Sequence, residues 1–581
     1  MNQGWSRSQI LFGAFSALYW LVAMHIFMHN PGGAGFYLPF NMVGWLFSSL
    51  LIGVGLWHIT LKKQLILSRH QYWIWAGLIV ISVPFFVHGE VPTDAGLPRF
   101  LGLGGGFLLL FSLSQLQLDR GQRFIFLYLL LGAVAIEAIF SLYQYFFMGY
   151  GNWMGYNFQI NRPYGIFQKD SVLSSFMALG VSIALFTLFA DELCKRGWRL
   201  ILSLCVLFSA GLLVVVIQSR SGQGGIILSA LILLPLLLRK CARLGGIAIG
   251  VLLFGILCGV ICLKSLSSSR DLANYSATID FRLIYWKHCL EMLIQHPIWG
   301  VGYGKFEAAF VNSYYSIPFA ISGKSIIEAN LDHPHNELLY WMVEGGGVAL
   351  AGLFLMFIGW LRMLMSAPLT MRLALSALPL PLFFHAMVEY PFYHSTAHWL
   401  ALIWLLWFTD AESEQQTVMP LQNWLLLRAM AILIPLITVP FMLTGLQTAW
   451  LVTQYERGGM KEPALLNKVI NPVPWYSRFM YDVISARLMM ALESGNQSEL
   501  QAYVDWAKGF VNLTPRANVY FNAALALDAL GQHDEAIRWR AEGQRLFPAD
   551  PIFKPKPASA AESVSDAAMS ASNTQAASSA H

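Results

Sequence analysis

The chain has 581 residues, of which 56% are hydrophobic and 12% charged, and its mean hydropathy is +0.54. This composition excludes an ordinary soluble protein and is typical of a protein that crosses a membrane many times. The net charge of +5 is small and spread along the chain, so it does not indicate nucleic-acid binding.

Thirteen apolar segments are long enough to be considered as membrane spans. They lie at 8–28, 37–57, 71–87, 97–114, 123–147, 170–190, 198–217, 222–238, 244–264, 337–361, 371–388, 396–409 and 421–443. The segments at 222–238 and 396–409 are short for a bilayer. The pattern predicts an all-α fold, a polytopic membrane helix bundle of about thirteen transmembrane helices. Arg7 precedes the first span, and no A-x-A cleavage site follows, so we expect that span to be uncleaved.

The distribution of Lys and Arg among the short loops predicts the orientation. With the N-terminus in the cytoplasm, the outer loops at 29–36 and 88–96 carry no Lys or Arg. The inner loops carry Lys62, Lys63, Arg69, Arg120, Arg123, Lys195, Arg196, Arg199, Arg239, Lys240, Arg243, Arg362 and Arg372. This agrees with the positive-inside rule. The stretch 265–336 is then a large external loop, and the chain after residue 443 is also external.

These segments predict five regions. A membrane domain at 1–264 precedes the loop at 265–336, and a second membrane domain at 337–443 precedes a helical region at 444–555. Within that region, 519–551 resembles one tetratricopeptide unit, and a degenerate copy precedes it. Two units rarely stand alone, so we expect this region to pack on the membrane part or on a partner. The Ala/Ser-rich tail at 556–581 is predicted to be disordered.

The six cysteines do not indicate a metal centre or a disulfide framework. No two of them form a C-x-x-C pair, and most lie in or beside apolar stretches: Cys194, Cys205, Cys241, Cys258, Cys262 and Cys289.

Four cations fall on the outer side, against the positive-inside rule: Arg162, Lys169, Arg220 and Arg282. Lys and Arg side chains that extend to the membrane surface would be one explanation. The other is function, because guanidinium groups match the oxygens of phosphate and pyrophosphate. Amides and tyrosines accompany these cations. The outer face is therefore predicted to bind a polyanion that a lipid anchors in the bilayer.

The run from Asp332 to Leu339 closes the external loop and opens a long apolar helix. Pro334 suits the first turn of that helix, which places His335 near the positive end of the helix dipole. This position favours neutral imidazole, which can accept a proton. The alternative is a histidine that only caps an interfacial helix. His333 and His335 could suggest a metal, but two histidines without further ligands are a weak signal, and we predict no metal.

The same residues carry a family resemblance. Arg162–Phe167, Ser219–Gly222, Arg282 before Trp286, His296–Phe306 and His335–Leu339 resemble the O-antigen ligase/polymerase (WaaL/Wzy) superfamily, in the same order. The run Glu389-Tyr390-Pro391 and the helical C-terminal region resemble its PglL-type O-oligosaccharyltransferase branch. The resemblance covers about residues 1–550. One departure is Lys169-Asp170, where the family often has Pro-Asn.

The resemblance implies transfer of a glycan from an undecaprenyl-pyrophosphate carrier to a Ser or Thr hydroxyl of a periplasmic protein such as a type IV pilin. The protein would be a multi-pass protein of the bacterial inner membrane with its active site facing the periplasm. The expected partners are the carrier-linked oligosaccharide, the acceptor protein and membrane lipids. Because the carrier is already activated, neither ATP nor a metal cofactor is expected.

The resemblance also implies roles for individual residues. His335 is the expected catalytic base, since a hydroxyl is a poor nucleophile until a base takes its proton. Arg220 and Arg282 are expected to stabilise the departing pyrophosphate. Binding of the donor or acceptor is expected of Gln168, Arg162, Lys169, Asn336, Tyr390 and Glu389.

Two other functions stay open. An O-antigen ligase or polymerase would use the same chemistry with a sugar hydroxyl as acceptor, and the repeat-like C-terminal region favours a protein acceptor instead. A lipid-linked sugar flippase should carry broken helices and polar groups near the bilayer midplane. Here the notable polar groups gather at the outer ends of the spans, which favours an enzyme.

Overall fold

The structure is a computed structural model that describes residues 5–88, 96–157, 161–195, 197–265, 272–316, 331–413 and 416–554. The predicted tail at 556–581 and parts of the predicted external loop lie outside the described residues. The all-α polytopic fold is confirmed.

Within its described residues, the first membrane region contains nine α-helices: α1 (Arg7–Leu21), α2 (Pro39–Lys62), α3 (Gln71–Val87), α4 (Leu97–Gln115), α5 (Arg120–Phe147), α6 (Asp170–Ala190), α7 (Trp198–Ile217), α8 (Arg220–Lys240) and α9 (Ala242–Ser265). The described part of the external loop contains α10 (Leu272–Gln295) and α11 (Phe306–Ser316).

The second membrane region contains α12 (Glu337–Ser366), α13 (Leu369–Ala377), α14 (Leu380–Ala386), α15 (Pro391–His394), α16 (Thr396–Glu412) and α17 (Leu425–Arg457). The C-terminal helices are α18 (Tyr476–Ser494), α19 (Gln497–Val511), α20 (Ala517–Ala529) and α21 (His533–Leu546). Short 3-10 helices lie at Ala23–His25, Gly35–Tyr37, Gly165–Phe167, Glu192–Lys195, Pro463–Lys468, Val473–Trp475 and Pro551–Phe553.

Each predicted span coincides with a helix or with a bent helix pair. By length and composition, ten helices in the described part of the chain can cross a bilayer, or eleven if α13 and α14, bent by 42°, form one span. The remaining two predicted spans are α3 and α16, which have 17 residues each. Every residue of α16 is buried, so this helix lies at the centre of the bundle, as expected for a helix that is apolar on all sides.

A two-stranded sheet was not predicted. Strand β1 (Gln64–Ser68) pairs antiparallel with β2 (Gln416–Pro420), and Ile66 lies opposite Val418. The pair joins the α2–α3 connection to the α16–α17 connection, so both connections lie at the same end of the bundle. Asp410 fixes this end, because it accepts hydrogen bonds from the hydroxyl of Ser68 at 2.6 Å and the amide of Gln71 at 2.8 Å.

Helix α12 is broken at Gly346, which has φ 63° and ψ −157°. The loop that follows α10 fills the break with its own backbone. Val301 N–H donates to Val343 O at 2.9 Å, and Gly347 N–H donates to Pro297 O at 2.8 Å. Glu344 accepts from the backbone N–H of Gly304 at 2.9 Å and pairs with Arg99. The polar backbone groups exposed by the break are therefore satisfied within the protein, as a membrane domain requires.

The last span continues further than predicted, because α17 runs to Arg457 rather than ending near residue 443. Helices α18 to α21 then pack around their own apolar core, which includes Leu500, Val504, Ala523 and Leu527. Gly531, at φ 77°, allows the tight turn between α20 and α21. The tetratricopeptide-like character of this region stays a prediction.

Candidate active site

The predicted helix start at Pro334 is wrong. Helix α12 begins at Glu337, and Asn336 is its N-cap: the Asn336 side chain accepts a hydrogen bond from Leu339 N–H at 2.9 Å. Asparagine is among the strongest N-cap residues, which explains why it, and not Pro334, sets the boundary. His335 lies before the cap at φ 51°, in the left-handed region that few residues other than glycine adopt.

A carboxylate, and not the helix dipole, orients His335. Its Nδ1 lies 3.0 Å from Oε2 of Glu389. An ionised carboxylate can only accept a hydrogen bond, so Nδ1 carries the proton and the lone pair of the neutral ring is on Nε2. This is the relation of base and orienting carboxylate found in acid–base catalysis.

Glu389 lies at the centre of the site, where it is 6% exposed. Its carboxylate is 2.7 Å from an Arg282 guanidinium nitrogen, 3.2 Å from Lys169 Nζ and 3.5 Å from His333 Nε2. Burial alone would raise the pKa of Glu389, but Lys169 and His335 outweigh it and hold that pKa well below its usual value. The carboxylate is therefore ionised at neutral pH.

The rings of His333 and Tyr390 pack against each other beside this carboxylate. Their ring centroids are 3.5 Å apart, and Nδ1 of His333 lies 2.5 Å from Oδ1 of Asp332. Lys169 Nζ lies 5.4 Å from the centre of the Tyr390 ring, within the range of a cation–π contact. Burial raises the pKa of Tyr390 well above its usual value, so its hydroxyl is neutral.

Two hydrogen bonds hold the segments that carry these residues. The indole of Trp286, one turn after Arg282 on α10, donates to Pro334 O at 2.9 Å. The side-chain amide of Asn336 donates to Met387 O at 3.0 Å. Arg282, His335 and Glu389 come from three separate parts of the chain, and these bonds fix them relative to one another. Both polar groups of the Asn336 side chain thus contact protein, which gives it a positioning role; its predicted part in substrate binding stays a prediction.

The segment from Arg162 to Lys169 approaches the same region. His394 Nε2 donates to Phe167 O at 3.1 Å, and burial lowers the pKa of His394 to about 3, so this ring is neutral. Gln168 follows at φ 57°, immediately before Lys169 and the start of α6. Arg162 donates to Ile217 O and to Oε1 of Gln218, each at 2.8 Å. The described contacts of Arg162 therefore tie this segment to the end of α7.

Arg220 is the first residue of α8, and its neighbours place it beside the start of α6. The hydroxyl of Ser221 donates to Ser171 O at 3.2 Å. Gly222 lies so close to Ser174 that an added Cβ would collide with it. Arg220 thus lies at the same end of the bundle as Lys169, and the predicted site residues gather around the starts of α6, α8 and α12 and the connection before α15.

On sequence alone, Glu389 is assigned only a part in substrate binding, and His394 and Trp286 are given no role. The sequence did contain a signal for the importance of Glu389. It is a carboxylate within a turn of aromatic residues, and the turn is predicted to lie on the same outer side as the four cations that are exceptions to the positive-inside rule. A buried carboxylate near several cations is expected to pair with them. Nothing in the sequence spacing indicates that His394 or Trp286 contacts the backbone of the other segments.

Three residues could hold a metal ion: potential ligand atoms of His333, His335 and Glu389 lie within 4.8 Å of one another. However, Lys169 and Arg282 both contact the same carboxylate, and their positive charges would repel a divalent cation there. The charges therefore favour a proton-transfer network over a metal centre. The absence of a metal requirement stays a prediction.

Two family models match the chain, and each matched range contains residues of this site. Residues 203–354 match the model described as O-Antigen ligase, which includes Arg220, Arg282 and His335. Residues 373–560 match the model described as Virulence factor membrane-bound polymerase, C-terminal, which includes Glu389 and Tyr390. The matches support the O-antigen ligase/polymerase superfamily. No curated protein matches the chain significantly.

The superfamily indicates glycosyltransferase-like activity, with transfer of a sugar from a lipid-linked donor, in a multi-pass membrane protein. The candidate site contains residues of both matched ranges, since His335 and Arg282 come from one and Glu389 from the other. Arg162, Gln168 and Lys169 precede both matched ranges.

Proposed function

We propose that this protein transfers a glycan from an undecaprenyl-pyrophosphate carrier to a Ser or Thr hydroxyl of a periplasmic protein such as a pilin. The observation that carries the proposal is the contact of 3.0 Å between His335 Nδ1 and Glu389, with Lys169 and Arg282 on the same carboxylate. It supplies an oriented base next to a cluster of cations, which this reaction needs.

In the proposed reaction, Nε2 of His335 removes the proton of the acceptor hydroxyl while the oxygen forms a bond to the anomeric carbon of the glycan. The bond from that carbon to the pyrophosphate breaks, and its electrons leave with undecaprenyl pyrophosphate. Glu389 stabilises the imidazolium that forms, and the proton then passes to water or to the released pyrophosphate.

The cations stabilise the charge that develops on the leaving pyrophosphate. Arg282 has five N–H donors and Lys169 has three, so each can contact Glu389 and still donate to a phosphate oxygen. Arg220, at the start of α8 and at the same end of the bundle as Lys169, is proposed to bind the pyrophosphate as well. Gln168, Arg162 and Tyr390 are proposed to complete the binding site for the donor or acceptor.

A sugar hydroxyl is the second candidate acceptor. It is favoured by the two matching family models, which describe a ligase and a polymerase. The protein acceptor is supported by the additional helical region, α18 to α21, which packs against α11 of the external loop through Val311. A folded region beside the active site offers a surface for a protein substrate.

A flippase should have breaks in its spans, and the break at Gly346 and the bend between α13 and α14 are of this kind. However, backbone from the loop after α10 fills the break at Gly346, and Glu344 there is paired with Arg99. The polar cluster around Glu389 lies outside the spanning helices. This arrangement supports an enzyme.

The test is co-expression with a glycan-lipid pathway and a candidate pilin, followed by intact-protein mass spectrometry. We expect the pilin to gain the mass of the glycan with the wild-type protein but not with His335→Ala. Glycan added to a lipid or sugar acceptor, with unmodified pilin, would support the ligase or polymerase. Movement of the donor across vesicle membranes without any transfer would support the flippase.

A further inference from the structure

Helix α11 has two buried faces, and one of them contacts α10, which carries Arg282, and α12, which begins just after His335. The Phe310 ring lies 5.8 Å from that of Tyr285 on α10, and the Phe306 ring lies 5.3 Å from that of Tyr340 on α12. Together with Cys289 and Val343, these residues form one apolar cluster. Tyr285 is nearly one turn after Arg282, and Tyr340 is in the second turn after His335, so α11 supports both residues.

The other face of α11 contacts the C-terminal region. Val311 belongs to the same apolar core as residues of α19 and α20, including Val504, Val519 and Leu527. Beside it, Glu307 forms an ion pair with Arg516, the residue that precedes α20, and both carboxylate oxygens take part. The two side chains are 11% and 17% exposed, so the pair is largely removed from water.

The environment of Glu307 makes this pair important for docking. Burial raises the pKa of Glu307, and Arg516 acts in the opposite direction by stabilising the ionised form. If Arg516 were removed, the Glu307 carboxylate would be buried without a partner, and such a loss is strongly destabilising. Separation of α11 and the C-terminal region would return the carboxylate to water, so the loss of Arg516 favours that separation.

We propose that Arg516 is a positioning residue: its ion pair with Glu307 docks the C-terminal region onto α11 and thereby holds Arg282 and His335 in their catalytic arrangement. The C-terminal region is then part of the catalytic unit, beyond any contact it makes with an acceptor. The effect on the reaction rests on the proposed function, whereas the docking itself does not.

The test compares Arg516→Ala with the wild-type protein in glycan transfer and in hydrogen–deuterium exchange. We expect kcat to fall about tenfold or more, because small displacements of catalytic groups are costly. The KM for the donor should stay within about twofold, because the residues of the site are still present. Exchange should rise selectively in α11.

A second variant separates docking from general stability. Glu307→Gln in the Arg516→Ala background removes the unpaired charge, since a neutral amide is much less costly to bury than a carboxylate. We expect the double variant to recover at least half of the decrease in log kcat that Arg516→Ala causes. Exchange in α11 should also be lower than in Arg516→Ala. The matched control is Arg545→Ala, which removes a pair with Glu542 in which both side chains are more than 40% exposed, and which should match wild type.

The proposal is overturned if Arg516→Ala keeps wild-type kcat and wild-type exchange in α11. It is also overturned if exchange rises throughout the chain and the double variant recovers nothing. If the wild-type protein transfers no glycan but the exchange results appear as expected, the docking stands and the proposed function fails.

Discussion

At the scale of single residues, the central feature of the site is that Glu389 contacts a histidine and two cations at once. One carboxylate contacts a histidine that can act as a base and two cations that can bind a phosphate. The cations keep the carboxylate ionised, and the ionised carboxylate fixes the tautomer of His335. The proposed base and the proposed phosphate-binding groups therefore contact the same carboxylate.

His335→Ala should abolish detectable transfer while the protein stays folded and still binds the lipid-linked donor. Loss of a general base typically lowers the rate by about 10²–10⁴. Acceptor glycosylation at matched expression is the measurement, and thermal unfolding checks the fold. His333→Ala should be milder, because the closest carboxylate contact of His333 is with Asp332 at 2.5 Å and it lies 3.5 Å from Glu389.

Two outcomes would change this assignment. Transfer at nearly the wild-type rate by His335→Ala would exclude it as the base. If His333 and His335 were equally essential and a chelator removed activity, a metal held by His333, His335 and Glu389 would replace the proton-transfer network.

Arg282→Lys should impair transfer although the charge is kept. The guanidinium contacts Glu389 at 2.7 Å and has a planar set of further donors, whereas the ammonium of Lys cannot bind two oxygens in the same geometry. We expect kcat/KM to fall about tenfold or more, the cost of one charged hydrogen bond. Arg220→Lys should have a smaller effect. Activity within about twofold of wild type for Arg282→Lys, at equal protein level, would indicate that its charge alone matters.

At the scale of elements, the break in α12 is the feature that shapes the external loop. The break places Gly346 against the backbone of the segment Pro297–Gly300, and the loop then returns to α11. The same helix thus begins at the candidate active site and anchors the loop that carries Arg282. A straight helix would leave the loop without these backbone partners.

Gly346→Ala should lower the melting temperature of the purified protein in detergent. An added Cβ would collide with Ile298 O and lie 2.6 Å from Gly300 N, and φ of 63° is unfavourable for alanine. Backbone strain alone costs about 1–3 kcal/mol, and the contact adds to it. Gly250→Ala on α9 is the control, since nothing lies within 4 Å of its added Cβ. Equal melting temperatures for the two variants would show that the break tolerates an ordinary helical residue.

At the scale of the whole molecule, the paired strands bear on the predicted topology. Strands β1 and β2 follow spans that are distant in the sequence, and their pairing requires both connections to lie on one side. The distribution of Lys and Arg predicts the cytoplasmic side for both. The cluster around Glu389 lies near the opposite ends of the spans, which the same distribution predicts to be periplasmic.

An alkaline phosphatase fused after residue 300 should therefore be active, because this enzyme folds with its disulfides in the oxidising periplasm. A fusion after residue 240, in a loop predicted to be cytoplasmic, should be inactive. Both are measured at equal expression. An inactive but stable fusion after residue 300 would contradict the orientation, and with it the periplasmic active site.

The sequence by itself determined the class of fold, because the lengths and composition of the apolar segments leave few alternatives to a membrane bundle. It also pointed to cations that lie near the candidate site, because Lys and Arg on the predicted outer side are exceptions to the positive-inside rule. It did not determine the start of α12, because Pro334 and Asn336 both favour a helix start and only the contact with Leu339 decides between them. It also gave no indication of the sheet, whose two strands are short and separated by most of the membrane region.

Only the tertiary structure placed Glu389 between Lys169, Arg282 and His335, because these four residues come from distant parts of the chain and their contacts depend on how the spans pack. The same holds for the ion pair of Glu307 with Arg516. Local sequence sets helix lengths, caps and apolar faces, since these depend on neighbouring residues. The packing of the whole bundle decides which side chains contact the buried carboxylate of Glu389. No local sequence pattern predicts that packing.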